Sequence, residues 1–141
     1  MSLRILVVDD DQTTRLLIAD LVRHEIPGAT VTCAGDGEEA LQRVAKEHPA
    51  LLILNIMMPG KTGVEVLAEV RAARNRVPVI LTSGYVTETE LVERGTLRDT
   101  HVLFLRKPFR IAELAEAVRK CLRPRRRTRG ASRWRVWRPG R

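Results

Sequence analysis

The stretch LLILNIMMPGKTG, residues 51–63, runs through four apolar side chains, reaches one short polar residue, Asn55, and then breaks at Pro59 and Gly60. A continuous apolar run that ends at turn residues is typical of a strand buried on both faces of a sheet. In an open α/β sheet, ligands bind and chemistry occurs at the carboxyl ends of the strands. Asn55 therefore lies where a nucleophile is expected.

Similar apolar runs alternate with helical patterns along the rest of the chain. Four more runs predict strands, at residues 4–8, 29–33, 77–82 and 101–105, besides the one at 51–54. Apolar residues spaced by three and four predict five helices. Their apolar faces hold Leu17, Ile18, Leu21 and Val22; Ala40, Leu41, Val44 and Ala45; Val64, Leu67 and Val70; Leu91 and Val92 within 87–93; and Ile111, Leu114, Ala115, Val118 and Leu122. This alternation predicts an α/β fold with a doubly wound parallel sheet covered by helices on both faces.

Length and charge divide the chain into a body and a tail. The 141 residues suit one domain, and the net charge is +8. Residues 123–141 contain nine Arg and no acid, which leaves 16 basic and 17 acidic residues in 1–122. We therefore expect one nearly neutral domain over 1–122 and a basic tail over 123–141. The chain has no apolar run of membrane-spanning length and no secretion-signal pattern, so we expect a cytoplasmic protein.

Polar side chains follow four of the predicted strands. They are Asp9, Asp10 and Asp11 after the first, Asn55 at the end of the third, Thr82 and Ser83 at the end of the fourth, and Lys107 after the fifth. In a parallel sheet these ends share one edge. Adjacent acids there can hold Mg²⁺, a lysine can pair with a phosphate, and a small hydroxyl can donate to a phosphoryl oxygen. The alternative is a solvated polar edge, where Asp11 caps the first helix.

Five motifs carry a family resemblance: ILVVDDD, DGEEAL, LNIMMPGKTG, PVILTSGY and LRKPF. In this order and spacing they resemble the receiver domains of bacterial two-component response regulators, over about residues 3–122. The resemblance implies a flavodoxin-like, CheY-like sheet of five strands in the order 2-1-3-4-5. It also implies a non-enzymatic role in phosphorelay signal transduction. The partners would be a sensor histidine kinase or phosphotransfer protein, a downstream output protein, or both.

The resemblance also assigns roles to single residues. Asp9 and Asp10 match the acidic pair that holds Mg²⁺, with Asp10 the direct ligand, and Met57 matches the residue that ligates through its backbone carbonyl. The switch hydroxyl, the switch aromatic and the phosphate-pairing lysine match Ser83, Phe104 and Lys107. The bond between Lys107 and Pro108 is expected to be cis, as in the family.

Asn55 departs from the family pattern, because receivers carry the phospho-accepting aspartate at this position. A carboxylate can attack phosphorus and form an acyl phosphate, whereas a neutral amide cannot. We therefore expect no phosphorylation at Asn55, and weaker Mg²⁺ binding because one carboxylate is missing. Three explanations stay open at this point: a natural receiver that signals without phosphate, an engineered aspartate-to-asparagine variant, or a merely structural polar residue at a strand end.

The tail and the body leave further alternatives. Arg interleaved with Trp134 and Trp137 could bind nucleic acid or an anionic surface, although residues 123–141 are too short for a DNA-reading domain. The simpler expectation is a disordered, solvated extension. A homodimer through the fourth helix, fifth strand and fifth helix is a further expectation. A haloacid-type phosphatase would also place acids after the first strand, but DDDQTT, residues 9–14, lacks the Gly-Thr pair of that class.

Overall fold

The computed structural model describes residues 3–85 and 88–123, which form five successive strand-and-helix units. The elements are β1 (Arg4–Val8), α1 (Gln12–Glu25), β2 (Thr30–Ala34), α2 (Gly37–Glu47), β3 (Leu51–Asn55), α3 (Gly63–Ala72), β4 (Val79–Ser83), α4 (Glu88–Glu93), a short 3₁₀ helix (Thr96–Arg98), β5 (Val102–Arg106) and α5 (Ile111–Leu122). All neighbouring strands pair in parallel, in the order β2-β1-β3-β4-β5. The predicted fold class and strand order are confirmed.

The sheet separates two apolar layers. One layer packs Leu6, Leu52 and Leu54 against α2, α3 and α4. The other packs Ile5, Val7 and other strand residues against α1 and α5. Every residue of β3 is buried, because this strand has neighbours on both sides and helices on both faces. This burial explains why its sequence is continuously apolar and does not alternate.

Several predicted boundaries are wrong by one or two residues. β2 and β5 start one residue later than predicted and also end one residue later, while β4 starts at Val79, two residues late. Pro78 lacks an N–H and contributes only its carbonyl, which accepts from the Leu52 N–H. α4 starts at Glu88, whereas position 87 lies outside the described residues, as does the predicted tail beyond Arg123.

Four residues assigned to buried helix faces are exposed. Ala45 and Val92 face solvent, and the side chains of Leu17 and Ile111 are 59% and 55% exposed. Each lies at the border of an apolar stripe, where the spacing rule does not tell the buried side from the open side. α1 instead packs with Ile18, Ala19 and Val22, of which Ala19 was not predicted.

Side-chain caps define the starts of the helices that leave the functional edge. The Asp11 carboxylate accepts from the Thr14 N–H at 2.8 Å at the start of α1, so the alternative interpretation of Asp11 as a helix cap is confirmed. Thr62 and Glu65 form a reciprocal capping box at the start of α3. None of the helices in the described ranges is both long and apolar enough to cross a membrane.

Candidate functional site

A partly buried ion pair joins the ends of the first and fifth strands. The Lys107 ammonium donates to Asp9 Oδ2 at 2.7 Å, and Asp9 Oδ1 accepts from the Asp11 N–H at 3.0 Å. Asp9 is only 1% exposed, so its carboxylate requires these partners to offset the loss of hydration. The predicted convergence of polar side chains at this edge therefore includes a real contact between positions 98 residues apart.

Asn55 lies between this pair and the neighbouring acid. Its Oδ1 accepts from Lys107 Nζ at 3.2 Å, while its Nδ2 donates to the Met57 carbonyl at 2.9 Å and to Asp10 Oδ1 at 3.2 Å. The partners dictate the orientation of the amide, because an ammonium can only donate and a carbonyl can only accept. One neutral side chain thus bridges β1, β5 and the loop after β3.

The backbone behind Asn55 leaves no room for a side chain at Gly63. A Cβ at Gly63 would lie 2.3 Å from the Asn55 carbonyl oxygen, so the first turn of α3 can approach β3 only with glycine there. The Gly63 N–H also donates to the Ile56 carbonyl at 2.8 Å. Sequence reasoning missed this role, although a glycine that opens a helix next to a site is a usable signal.

Arg15 is a second residue that sequence reasoning missed. Its guanidinium donates to the Asp9 carbonyl at 2.7 Å and so links the first turn of α1 to the backbone at the end of β1. In the same loop, the hydrogen bond from the Thr14 hydroxyl lowers the pKa of Asp11, with help from the Thr14 N–H, so Asp11 stays ionised at neutral pH. Asp10 and Asp11 are both exposed, unlike Asp9.

The remaining predicted residues lie on β4, β5 and the loop that follows. Ser83 is fully buried, and its Oγ accepts from the Tyr85 N–H at 3.1 Å; Thr82 is the register partner of Asn55. Phe104 is buried in the apolar layer that also contains Leu91. The peptide bond between Lys107 and Pro108 is cis, as expected.

The oxygen atoms at this edge are of the kind that Mg²⁺ prefers. A carboxylate oxygen of Asp10 and the Met57 carbonyl oxygen would fit the ion chemically. Both accept from the Asn55 amide nitrogen, so this NH₂ group lies between the two oxygens, where an ion shared by them would sit. Within residues 3–85 and 88–123, no group of three or more Asp, Glu, His or Cys side chains is placed to hold a metal.

Comparison with known proteins identifies the family. A model of the response regulator receiver domain matches residues 5–119. This chain belongs to the receiver family. Receivers are signalling domains of two-component systems, so the haloacid-type phosphatase alternative is replaced by this assignment.

Two relatives are longer proteins than this chain. This receiver is 36% identical over 125 residues to the response regulator MprA of Mycobacterium ulcerans, covering 87% of this chain and 51% of that one. It is 34% identical over 133 residues to a protein-glutamate methylesterase/protein-glutamine glutaminase of a Nocardioides species, covering 88% of this chain and 35% of that one. The chain thus spans about half or less of the length of these relatives.

A solved receiver supports the fold independently. The chemotaxis protein CheY4 of Vibrio cholerae matches with a TM-score of 0.74 at 23% identity, covering 86% of this receiver and all of that chain. At this level of identity the match concerns the fold alone. It agrees with the CheY-like sheet order described above.

The contacts of Asn55 predict a specific cost for restoring a carboxylate. In a buffer free of divalent ions, we expect Asn55→Asp to lower the free energy of unfolding by about 1–3 kcal/mol, because two donated hydrogen bonds are lost and a carboxylate faces Asp10. Urea unfolding measures this cost. Asn75→Asp is the matched control, since Asn75 uses only an oxygen, which accepts from the Val77 N–H at 3.0 Å. Equal stability of the two variants would contradict the contacts assigned to Asn55.

Proposed function

We propose that this chain is a receiver whose acceptor position is occupied by Asn55, and that it acts in phosphorelay signalling by protein contact without being phosphorylated. The receiver domain would comprise residues 1–122. One observation carries the proposal: the side chain next to Lys107 and Asp10, where a receiver needs a carboxylate, is an amide with its nitrogen directed at two acceptors. This argument applies equally to a natural and to an engineered asparagine.

The chemistry of the amide supports this proposal. Transfer from a phosphohistidine requires an oxygen lone pair that attacks phosphorus and leaves an acyl phosphate. The lone pair of an amide nitrogen is delocalised into its carbonyl, and Asn55 Nδ2 already donates both of its hydrogens. No stable phosphoryl product can form at residue 55. Lys107 and Ser83 would keep their positions for pairing with a phosphate without receiving one.

The decisive experiment is a phosphorylation assay read by intact-protein mass. With Mg²⁺ and acetyl phosphate, we expect the unmodified chain to gain no mass, and Asn55→Asp to gain the mass of one phosphoryl group. Asn75→Asp serves as the control for a new surface carboxylate. A phosphoryl adduct on the unmodified chain that maps to residue 55, Asp9 or Asp10 would refute the proposal.

We also propose that the site retains a weakened affinity for Mg²⁺, the ion that receivers bind at this site. Asp10 and the Met57 carbonyl would be direct ligands, with Asp9 the second acid of the pair. When bound, the ion supplies positive charge that offsets nearby anionic oxygens. Asp10 and Met57 would first have to release the Asn55 amide, which reduces the net gain from binding.

A calorimetric titration with Mg²⁺ tests the metal proposal. We expect weaker binding to the unmodified chain than to Asn55→Asp, because the substitution removes a competing donor and adds a carboxylate. Asp10→Ala should abolish binding in both backgrounds. Equal affinities in the first two proteins would mean that residue 55 does not face the metal.

Signalling without phosphate requires a surface that is fixed in one state, because a ligand shifts an equilibrium only by its different affinities for the two states. The burial of Phe104 supports this view, since its ring is 4% exposed and has no hydroxyl that must reach water. We propose that the face formed by α4, β5 and the exposed side of α5 contacts the kinase, phosphotransfer or output partner. The same face is our candidate for a homodimer.

Binding to a cognate kinase or output partner tests this fixed surface. We expect the same affinity with and without acetyl phosphate, and a lower affinity for Phe104→Ala. Because that truncation also removes core packing, Leu6→Ala is the control, as Leu6 lies in the same apolar layer but on β1. A response to the phosphodonor in the unmodified chain, or equal losses in the two variants, would contradict the proposal.

Three further assignments complete the proposal. We assign no enzymatic activity to the receiver itself, although a receiver can be part of a longer enzyme, as the Nocardioides relative illustrates by its name. We place its action in the cytoplasm, where phosphorelay partners act. Nucleic-acid binding is a second candidate function, supported only by the nine Arg and two Trp of residues 123–141.

A further inference from the structure

A groove opens at the candidate site, beside the contact between α1 and α5. It has a volume of about 790 Å³, and its lining includes Asn55, Leu17 and Ile111. Beyond Leu21 and Ile111 the two helices pack closely and leave no open space between them. The groove therefore lies at the functional edge of the sheet, where α5 begins.

Large apolar side chains line the groove and are exposed to solvent. They are Leu17, Met57, Tyr85 and Ile111, each about half exposed or more, with Tyr85 at 83%. A contiguous exposed apolar surface of this kind usually marks a place where another group binds. The neighbouring Leu16 on α1 is also exposed but does not line the groove.

The charge at the mouth of the groove is negative. Among the described residues that line it, Asp9, Asp10 and Asp11 face a single cation, Lys107, which is already paired with Asp9. Among the described lining residues, neither of the two exposed carboxylates, of Asp10 and Asp11, forms a salt bridge with a basic side chain. A suitable occupant combines large apolar side chains with positive charge.

We propose that the groove is the docking site of this chain's own basic tail, residues 124–141. These residues contain eight Arg, no acid and both tryptophans of the protein. Trp134 and Trp137 would cover Leu17 and Ile111, while arginines pair with the two exposed carboxylates. We choose this occupant because its arginines match the acidic mouth of the groove and its tryptophans match the exposed apolar lining.

The chain is long enough to make this contact within one molecule. α5 is 12 residues long, or about 18 Å, and runs from Ile111 beside the groove to Leu122. The 12 residues from Leu122 to Trp134 can span about 40 Å when extended, more than the return distance along the helix. Tethering also gives the tail an effective concentration in the millimolar range, so a modest affinity suffices for occupancy.

Tryptophan fluorescence tests the proposal on the full chain, because both tryptophans belong to the tail. We expect emission shifted to shorter wavelength relative to a free peptide of residues 124–141, at every protein concentration. Leu17→Glu should abolish the shift, whereas Leu16→Glu on the same helix should preserve it. Ile111→Glu provides a second disruption on α5, and circular dichroism verifies that each variant is folded.

Three results would overturn the proposal. Emission identical to that of the free peptide, or a shift that survives both Leu17→Glu and Ile111→Glu, would show that the groove does not hold the tail. A shift that disappears on dilution would assign the tail to a second copy. A shift that arises only with added duplex DNA or anionic vesicles would assign it to those ligands.

Discussion

The ion pair between Asp9 and Lys107 is the interaction on which the rest of the site depends. It places a buried carboxylate from β1 against an ammonium from the loop after β5, across a sheet in which β3 and β4 lie between them. The Asp9 carboxylate could not be buried alone without a cost of several kcal/mol, whereas Lys107 keeps part of its side chain in water. The pair therefore holds the two loops together, and the short side chain of Asn55 contacts both of them.

Asn55 completes this arrangement in a way that a carboxylate would not. An amide offers donors and acceptors together, so it satisfies Lys107 on one side and the Met57 carbonyl and Asp10 on the other. An aspartate offers acceptors only and would need a cation to face the same two oxygens. The amide nitrogen thus stabilises, within the protein, oxygens that a receiver otherwise presents to a metal. The same amide that we propose cannot accept a phosphoryl group thus satisfies its three polar neighbours without a metal ion.

Much of the fold could be predicted from the sequence because burial on both faces leaves a clear pattern. The apolar runs of β1, β3 and β5 and the polar residues that follow them identify a parallel sheet and its functional edge. The first residues of β2 and β4 could not be predicted, since Ala29 and Val77 are apolar but lie before the first paired residues. The exposure of Leu17 and Ile111 could not be predicted either, because it depends on how closely α1 and α5 approach each other. Likewise, the direction of the Asn55 amide follows from its three partners and not from its own neighbours in sequence.

The negative edge of the sheet would connect the two ligands that we propose, Mg²⁺ and the tail. Asp10 would serve both as the direct Mg²⁺ ligand and as a partner for arginine, so the two proposed ligands share a carboxylate. Two ligands that compete for one group weaken each other's binding by the same factor. A docked arginine would therefore lower Mg²⁺ affinity further than Asn55 does alone, and bound Mg²⁺ would loosen the tail by an equal free energy. Charge at residue 55 would set this balance, because an aspartate there would favour the doubly charged ion, which can contact two carboxylates and a carbonyl at once.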